Sequence, residues 1–221
     1  MAATLNGPVV EPAAGGAPEQ VVIFLHGLGA DGNDLIGLAP VFQRILPGAL
    51  FVSPHAPFPC DMAPQGRQWF SIQDMDRLDG VAKAAPFLDS FIDEILDIYG
   101  LGADRLALVG FSQGTMMSLH VGLRRAAAIA GILGYSGMLV GPENLAAEIA
   151  SRPPVMLIHG DADPVVPFSC LGLAAEALVA SGVDVGSHVC PGLGHGIDEA
   201  GLKLGVEFLG RVFAANQAFD K

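Results

Sequence analysis

The sequence predicts an α/β domain with a doubly wound, mainly parallel sheet and helices on both faces. Short apolar runs of strand length alternate with longer segments of helical spacing, the order expected of such folds. Hydrophobic residues make up 51% of the 221 and charged residues 15%, which suits a sheet buried on both sides in one full core. No internal repeat and no linker divides the chain, so residues 21–221 are expected to form a single domain.

Residues 1–20 are rich in Ala, Gly and Pro and are predicted to be a loosely held arm. Val21 to Leu25 is the first core strand, and it empties into the glycine-rich loop from Leu25 to Gly32. Leu50 to Ser53 reads as the next strand. A long Pro-rich connection follows, from Ser53 to Asp79, and then a helix from Val81 to Tyr99. Arg105 to Val109 is a strand bounded by the acidic loop at Asp104, and Gln113 to Arg125 has helical length and spacing. Ala126 to Leu133 and Pro154 to His159 are strand runs. Leu171 to Ser181 is a helix, Val183 to Val189 alternates as a strand, and a last helix closes the chain.

Between the strand at Arg105 and the helix at Gln113 stands Gly110-Phe111-Ser112-Gln113-Gly114. A serine on a strand-to-helix turn is pushed out at the end of the sheet, and its strained backbone needs small neighbours on both sides. Gly134-Tyr135-Ser136-Gly137 also follows an apolar run but lacks the spacing of the second glycine. A nucleophilic serine on such a turn expects an acid and then a histidine downstream. Asp161 and Asp163 follow the strand that ends at His159, and His195 lies in the loop Pro191-Gly192-Leu193-Gly194-His195-Gly196. Each position falls just past the C-terminal end of a strand, where open α/β sheets place ligand sites.

The chemistry needs all three groups. A serine hydroxyl is a weak nucleophile, so an imidazole must take its proton and return it to the leaving group. A carboxylate fixes the imidazole's tautomer and stabilises its charged form. The oxyanion needs preorganised N–H donors, one from Gln113 and one from the glycine-rich loop after the first strand. The residues alone leave Asp161 and Asp163 in competition: Asp161 suits turn hydrogen bonds, and Asp163 precedes Pro164, which fixes the backbone that follows. His195 is preferred over His188, which sits within a strand pattern. His26 reads as a structural residue near the oxyanion loop, and His55 and His120 carry no assigned role.

The set Phe24-Leu25-His26-Gly27-Leu28-Gly29, Gly66-Arg67-Gln68-Trp69-Phe70, Gly110-Phe111-Ser112-Gln113-Gly114, His159-Gly160-Asp161-Ala162-Asp163-Pro164 and Gly194-His195 resembles the phospholipase/carboxylesterase family. That family includes acyl-protein thioesterases and bacterial carboxylesterases. The resemblance runs from Val21 to the last helix and implies an α/β-hydrolase fold without a large cap domain. It implies Ser112 as nucleophile, Asp163 as acid, His195 as base, and oxyanion donors at the Leu28 and Gln113 N–H groups. It further implies a carboxylic ester or thioester substrate, no cofactor, and a homodimer as the assembly its members often form.

Other function classes are disfavoured. A net charge of −12 opposes nucleic acid, whose binding depends on Lys and Arg, and opposes lasting contact with an anionic membrane. Leu106 to Leu123 carries no charge but is broken by Gly110, Ser112, Gln113, Gly114 and His120. The next uncharged stretch, Ala126 to Val140, is shorter than the roughly 20 residues a span requires. His159, Asp161 and Asp163 alternate like metal ligands, yet no second histidine pair or cysteine cluster completes a zinc set. A noncatalytic binding protein on this fold would normally have lost one of the three reactive residues.

Residues 1–20 contain no Lys or Arg and no continuous apolar run, so a secretory signal is not expected. Three cysteines (Cys60, Cys170 and Cys190) share no close spacing, which fits free thiols and a cytoplasmic location. In the Pro-rich connection, Met62, Trp69 and Phe70 are candidates to line an apolar acyl pocket with Leu28. The alternative is that Trp69 and Phe70 simply cap the core.

Overall fold

The computed structural model describes residues 5–73 and 77–217. Its strands are β1 (Val9–Val10), β2 (Gln20–Leu25), β3 (Ala49–Val52), β4 (Phe58–Pro59), β5 (Arg67–Gln68), β6 (Leu106–Phe111), β7 (Gly131–Tyr135), β8 (Val155–Gly160) and β9 (Val185–Cys190). Its helices are α1 (Gly32–Leu35), α2 (Ala39–Gln43), α3 (Arg77–Tyr99), α4 (Gln113–Gly122), α5 (Leu145–Glu148), α6 (Ser169–Ala180) and α7 (Glu199–Gln217). The main sheet has the order β1-β3-β2-β6-β7-β8-β9. Every pairing from β3 to β9 is parallel.

Residues of one strand divide between two cores, because successive side chains point to opposite faces. Val21, Ile23 and Leu25 pack with Leu106, Leu108, Ile132 and Leu157 under α3, α4 and α6. Val22 and Phe24 pack with Phe51, Val109 and Leu133 under α2 and the Phe208, Leu209, Val212 and Phe213 face of α7. Both faces of the central strands are therefore dry, and the reactive groups must come from the loops at the strands' C-terminal ends.

The N-terminal segment differs from its expectation as a loose arm. Val9 and Val10 pair antiparallel with Val52 and Phe51, the Ser53 and His55 N–H groups donate to the Pro8 and Asn6 carbonyls, and Leu5 is buried. Ala, Gly and Pro signal local turns, whereas edge pairing depends on β3, a distant segment. Residues 1–4 of the expected arm and 218–221 of the expected domain lie outside the described residues.

Other boundaries also move. The helix expected to reach Arg125 ends at Gly122, where the Arg124 guanidinium turns back to the His120 carbonyl at 3.0 Å. The strand expected from Ala126 to Leu133 runs instead from Gly131 to Tyr135, and β9 begins two residues later than the alternation suggested, at Val185. Within the Pro-rich connection, β4 and β5 form a short antiparallel pair that the sequence did not signal. Among the described residues, no connection folds into a separate cap.

Candidate active site

Ser112 stands between β6 and α4 with φ 54° and ψ −115°, one of two non-glycine residues of positive φ among those described. The flanking glycines are required by contact. A Cβ on Gly110 would lie 2.4 Å from the Thr115 nitrogen, and one on Gly114 would lie 1.8 Å from the Leu25 carbonyl oxygen. Only bare backbone lets β6 turn sharply into α4 while α4 presses against the end of β2.

The loop after β2 is fixed from beneath. His26 is fully buried; its Nε2 accepts from the Ala56 N–H at 3.0 Å, so Nδ1 carries the hydrogen and donates to the Gly27 carbonyl at 2.8 Å. Burial pushes His26 below the usual histidine range and keeps the ring neutral. The Gly29 N–H donates to the Arg67 carbonyl at 2.9 Å, and a Cβ on Gly66 would sit 2.1 Å from the Gly29 oxygen. Leu28 and Gln113 thus come to the same cavity as Ser112. The first N–H groups of a helix have no intrahelical acceptor, so the Gln113 N–H at the start of α4 is open to a ligand.

Asp163 and His195 are brought together. The Asp163 Oδ2 accepts from the His195 Nδ1 at 2.7 Å, and Oδ1 accepts from the Val165 and Val166 N–H groups at 2.8 and 3.0 Å. The Asp163 side chain is fully buried. Desolvation raises its pKa, but the His195 hydrogen bond, the two backbone donors and the His195 charge outweigh it, leaving the carboxyl below its usual range. Asp161 points elsewhere: its Oδ1 accepts from the Gly192 N–H at 2.6 Å. His159, Asp161 and Asp163 therefore do not converge, and among the described residues no group of three potential ligands gathers.

His195 and Ser112 line one cavity of about 340 Å³ with Leu28, Phe70, Met116 and Met138. The Phe111 ring lies 4.9 Å from the His195 ring, centre to centre, and limits its tilt. His188 lies on β9 opposite Ile158, away from this cavity. His55 accepts from the Gly32 N–H, and His120 is a buried residue of α4 itself, beside Arg124.

Two expected pocket residues are corrected. Trp69 is fully buried, its Nε1–H bonded to the His26 carbonyl at 3.1 Å, and it braces the loop after β2 rather than facing the cavity. Met62 is 67% exposed and lies outside the cavity, because the β4–β5 turn carries it to the surface. Phe70 does line the cavity.

Several contributors were missed in the sequence. The Gln113 side chain clamps the connection, its Oε1 accepting from the Trp69 N–H at 2.8 Å and its Nε2 donating to the Phe70 carbonyl at 2.7 Å. Ser136, set aside above for its spacing, has φ 45° and holds the loop of His195. Its positive φ was foreshadowed only by the glycines around it. Arg77 borders the cavity from the start of α3.

The profile of the phospholipase/carboxylesterase family matches residues 6–212. Acyl-protein thioesterase 1 of Gibberella zeae is 33% identical over 208 residues, spanning 85% of this chain and 88% of its own. Esterase YpfH of Escherichia coli K12 is 29% identical over 194 residues, covering 86% and 82%. The crystal structure of esterase PE8 superposes with a TM-score of 0.91 at 41% identity, covering 95% of this chain and all of that one. Together with the sheet order, these likenesses give the chain the α/β-hydrolase fold. It belongs to the phospholipase/carboxylesterase family of ester and thioester hydrolases.

Proposed function

We propose that the protein is a serine carboxylesterase acting through an acyl-enzyme on Ser112. The observation that carries this reading is the 2.7 Å bond between Asp163 and His195, with His195 lining the same cavity as the strained Ser112. Asp163 holds the hydrogen on the His195 Nδ1, which leaves Nε2 as the base. Nε2 takes the Ser112 proton as Oγ attacks the ester carbonyl, and it returns that proton to the departing alcohol. Water, deprotonated in turn by Nε2, releases the acid and restores Ser112. The Leu28 and Gln113 N–H groups hold the oxyanion; among the described residues neither is bonded to a backbone carbonyl outside regular structure.

The cavity favours small to medium acyl chains, since about 340 Å³ is lined chiefly by apolar side chains. One observation favours a second reading, a longer acyl-thioester or lysophospholipid. A neighbouring cavity of about 460 Å³, bounded by Leu78, Leu139 and Leu173, shares Ile72, Arg77 and Met138 with the first. The free state of Cys60, Cys170 and Cys190 supports a cytoplasmic setting, and no helix among the described residues is long and apolar enough to cross a membrane.

A fluorophosphonate probe tests the nucleophile: it is expected to label the wild type and not Ser112→Ala, and labelling of the alanine variant overturns the assignment. Rates across p-nitrophenyl esters of two to sixteen carbons, with matched thioesters, separate the two substrate readings. A steep rise toward long chains or thioesters favours the second.

A further inference from the structure

We infer that His159 is a positioning residue for the Asp163 carboxylate, a role that rests on Asp163 being the acid of the triad. His159 ends its side chain in the protein interior, 2% exposed, at the C-terminal end of strand β8 before the loop that carries Asp163. Its Nε2 lies 3.0 Å from the Val166 carbonyl oxygen and 3.2 Å from the Asp163 Oδ2. Both atoms only accept hydrogen bonds, so Nε2 carries the hydrogen; it donates to the Val166 carbonyl, and the Asp163 carboxylate lies close beside that N–H. The Phe168 ring meets the imidazole edge-on at 6.4 Å and fixes its plane.

This completes the carboxylate. An ionised carboxylate has about four acceptor sites. On Asp163 the Val165 and Val166 N–H groups donate to Oδ1 and His195 donates to Oδ2, and the His159 Nε2 lies 3.2 Å from that same oxygen. The backbone donors alone leave Oδ2 dependent on His195, the ring that must stay mobile enough to shuttle a proton. From the rigid sheet, His159 holds the Val166 carbonyl and sets its polar N–H beside Oδ2, pinning the loop Asp163-Pro164-Val165-Val166 whose own N–H groups hold Oδ1. The direction that Oδ2 presents to His195 is therefore set in part by β8, through the held Val166 carbonyl and the His159 ring beside the carboxylate. A one-ångström displacement of a catalytic group costs on the order of 10²-fold in rate, so the expected signature is in kcat rather than in KM.

The test uses the full chain. In ¹⁵N-histidine-labelled wild type, the His159 ring, assigned by its loss in His159→Gln, is expected to carry a hydrogen on Nε2. An Nε2 without hydrogen overturns the inference. His159→Phe keeps ring volume without a donor and is expected to lower kcat by ~10- to 100-fold, with KM changed less than about twofold. His159→Gln, whose side-chain amide places an N–H near the same point, is expected to recover most of that loss. A folded His159→Phe with wild-type kcat, or a folded His159→Gln no better than His159→Phe, overturns it. Asp163→Ala separates the two levels: if it keeps wild-type kcat, the triad itself is wrong, whereas an inactive Asp163→Ala beside a fully active His159→Phe removes only the role of His159.

Discussion

Ser136 donates its hydroxyl hydrogen to the Gly196 carbonyl at 3.1 Å, the residue after His195, while its own N–H is held by the Ile158 carbonyl at 2.9 Å. The end of β7 is thus bonded to β8 by its backbone and to the loop of His195 by the Ser136 hydroxyl. The φ of 45° aims the side chain across that gap. Ser136→Ala is expected to leave the fold intact but let the loop drift, lowering kcat about tenfold or more. Steady-state kinetics beside a thermal melt check it; unchanged kcat removes the coupling.

Strain at Ser112 gives a test that needs no substrate. Ala keeps the penalty of φ 54°, and Gly does not. Both variants are expected to be inactive, with Ser112→Gly more stable than Ser112→Ala by about 1–3 kcal/mol in urea melts. Equal stability would mean that the turn relaxes in the variants.

The clamp of Gln113 predicts a linked loss. Gln113→Leu leaves the Trp69 N–H and the Phe70 carbonyl buried without partners, which costs about 2–5 kcal/mol in stability. Phe70 lines the cavity, so kcat/KM for the preferred ester is expected to fall as well. Met62→Ala serves as the contrast. It is exposed and off the cavity, and stability is expected to stay within about 0.5 kcal/mol with an unaltered chain-length profile.

His120 governs part of the acid stability. Burial, with the Arg124 charge adding and Glu148 opposing, holds it at about 4. The unfolded chain takes up this proton near the ordinary value of about 6.5, so between that pH and about 4 the unfolded state binds more protons. Stability is therefore present above the window and is lost on acidification through it. Between pH 7.5 and 4.5, wild type is expected to lose about 2 kcal/mol more than His120→Leu. Urea melts at both pH values decide it, and parallel losses remove the effect.

The legible part of the molecule was what a short window of sequence can enforce. The glycines at 110 and 114 were readable because a strand–turn–helix elbow tolerates no side chain there, and the contacts at those positions bear this out. The parallel core strands were readable because their buried runs are apolar on both faces. β1 was not, since two valines after a run of turn residues gain strand character only from β3. Trp69 was ambiguous for a similar reason: an aromatic in a Pro-rich connection looks alike whether it faces a cavity or, as here, spends its indole N–H on the His26 carbonyl.

The sequence by itself determined the order of chemistry: a serine on a glycine-flanked turn, then two aspartates after one strand, then a histidine after the next. These are local signals, set by backbone sterics and hydrophobic runs. Only the tertiary structure separated the aspartates, because Asp161 and Asp163 differ by two residues along the chain but meet different points of one loop, Gly192 and His195. It also recruited Ser136, His159 and the Gln113 side chain, whose contacts join segments far apart in sequence or depend on the way a loop folds back. Hydrogen-bond direction is a property of the packed loop, and no pattern of residue types along the chain encodes it.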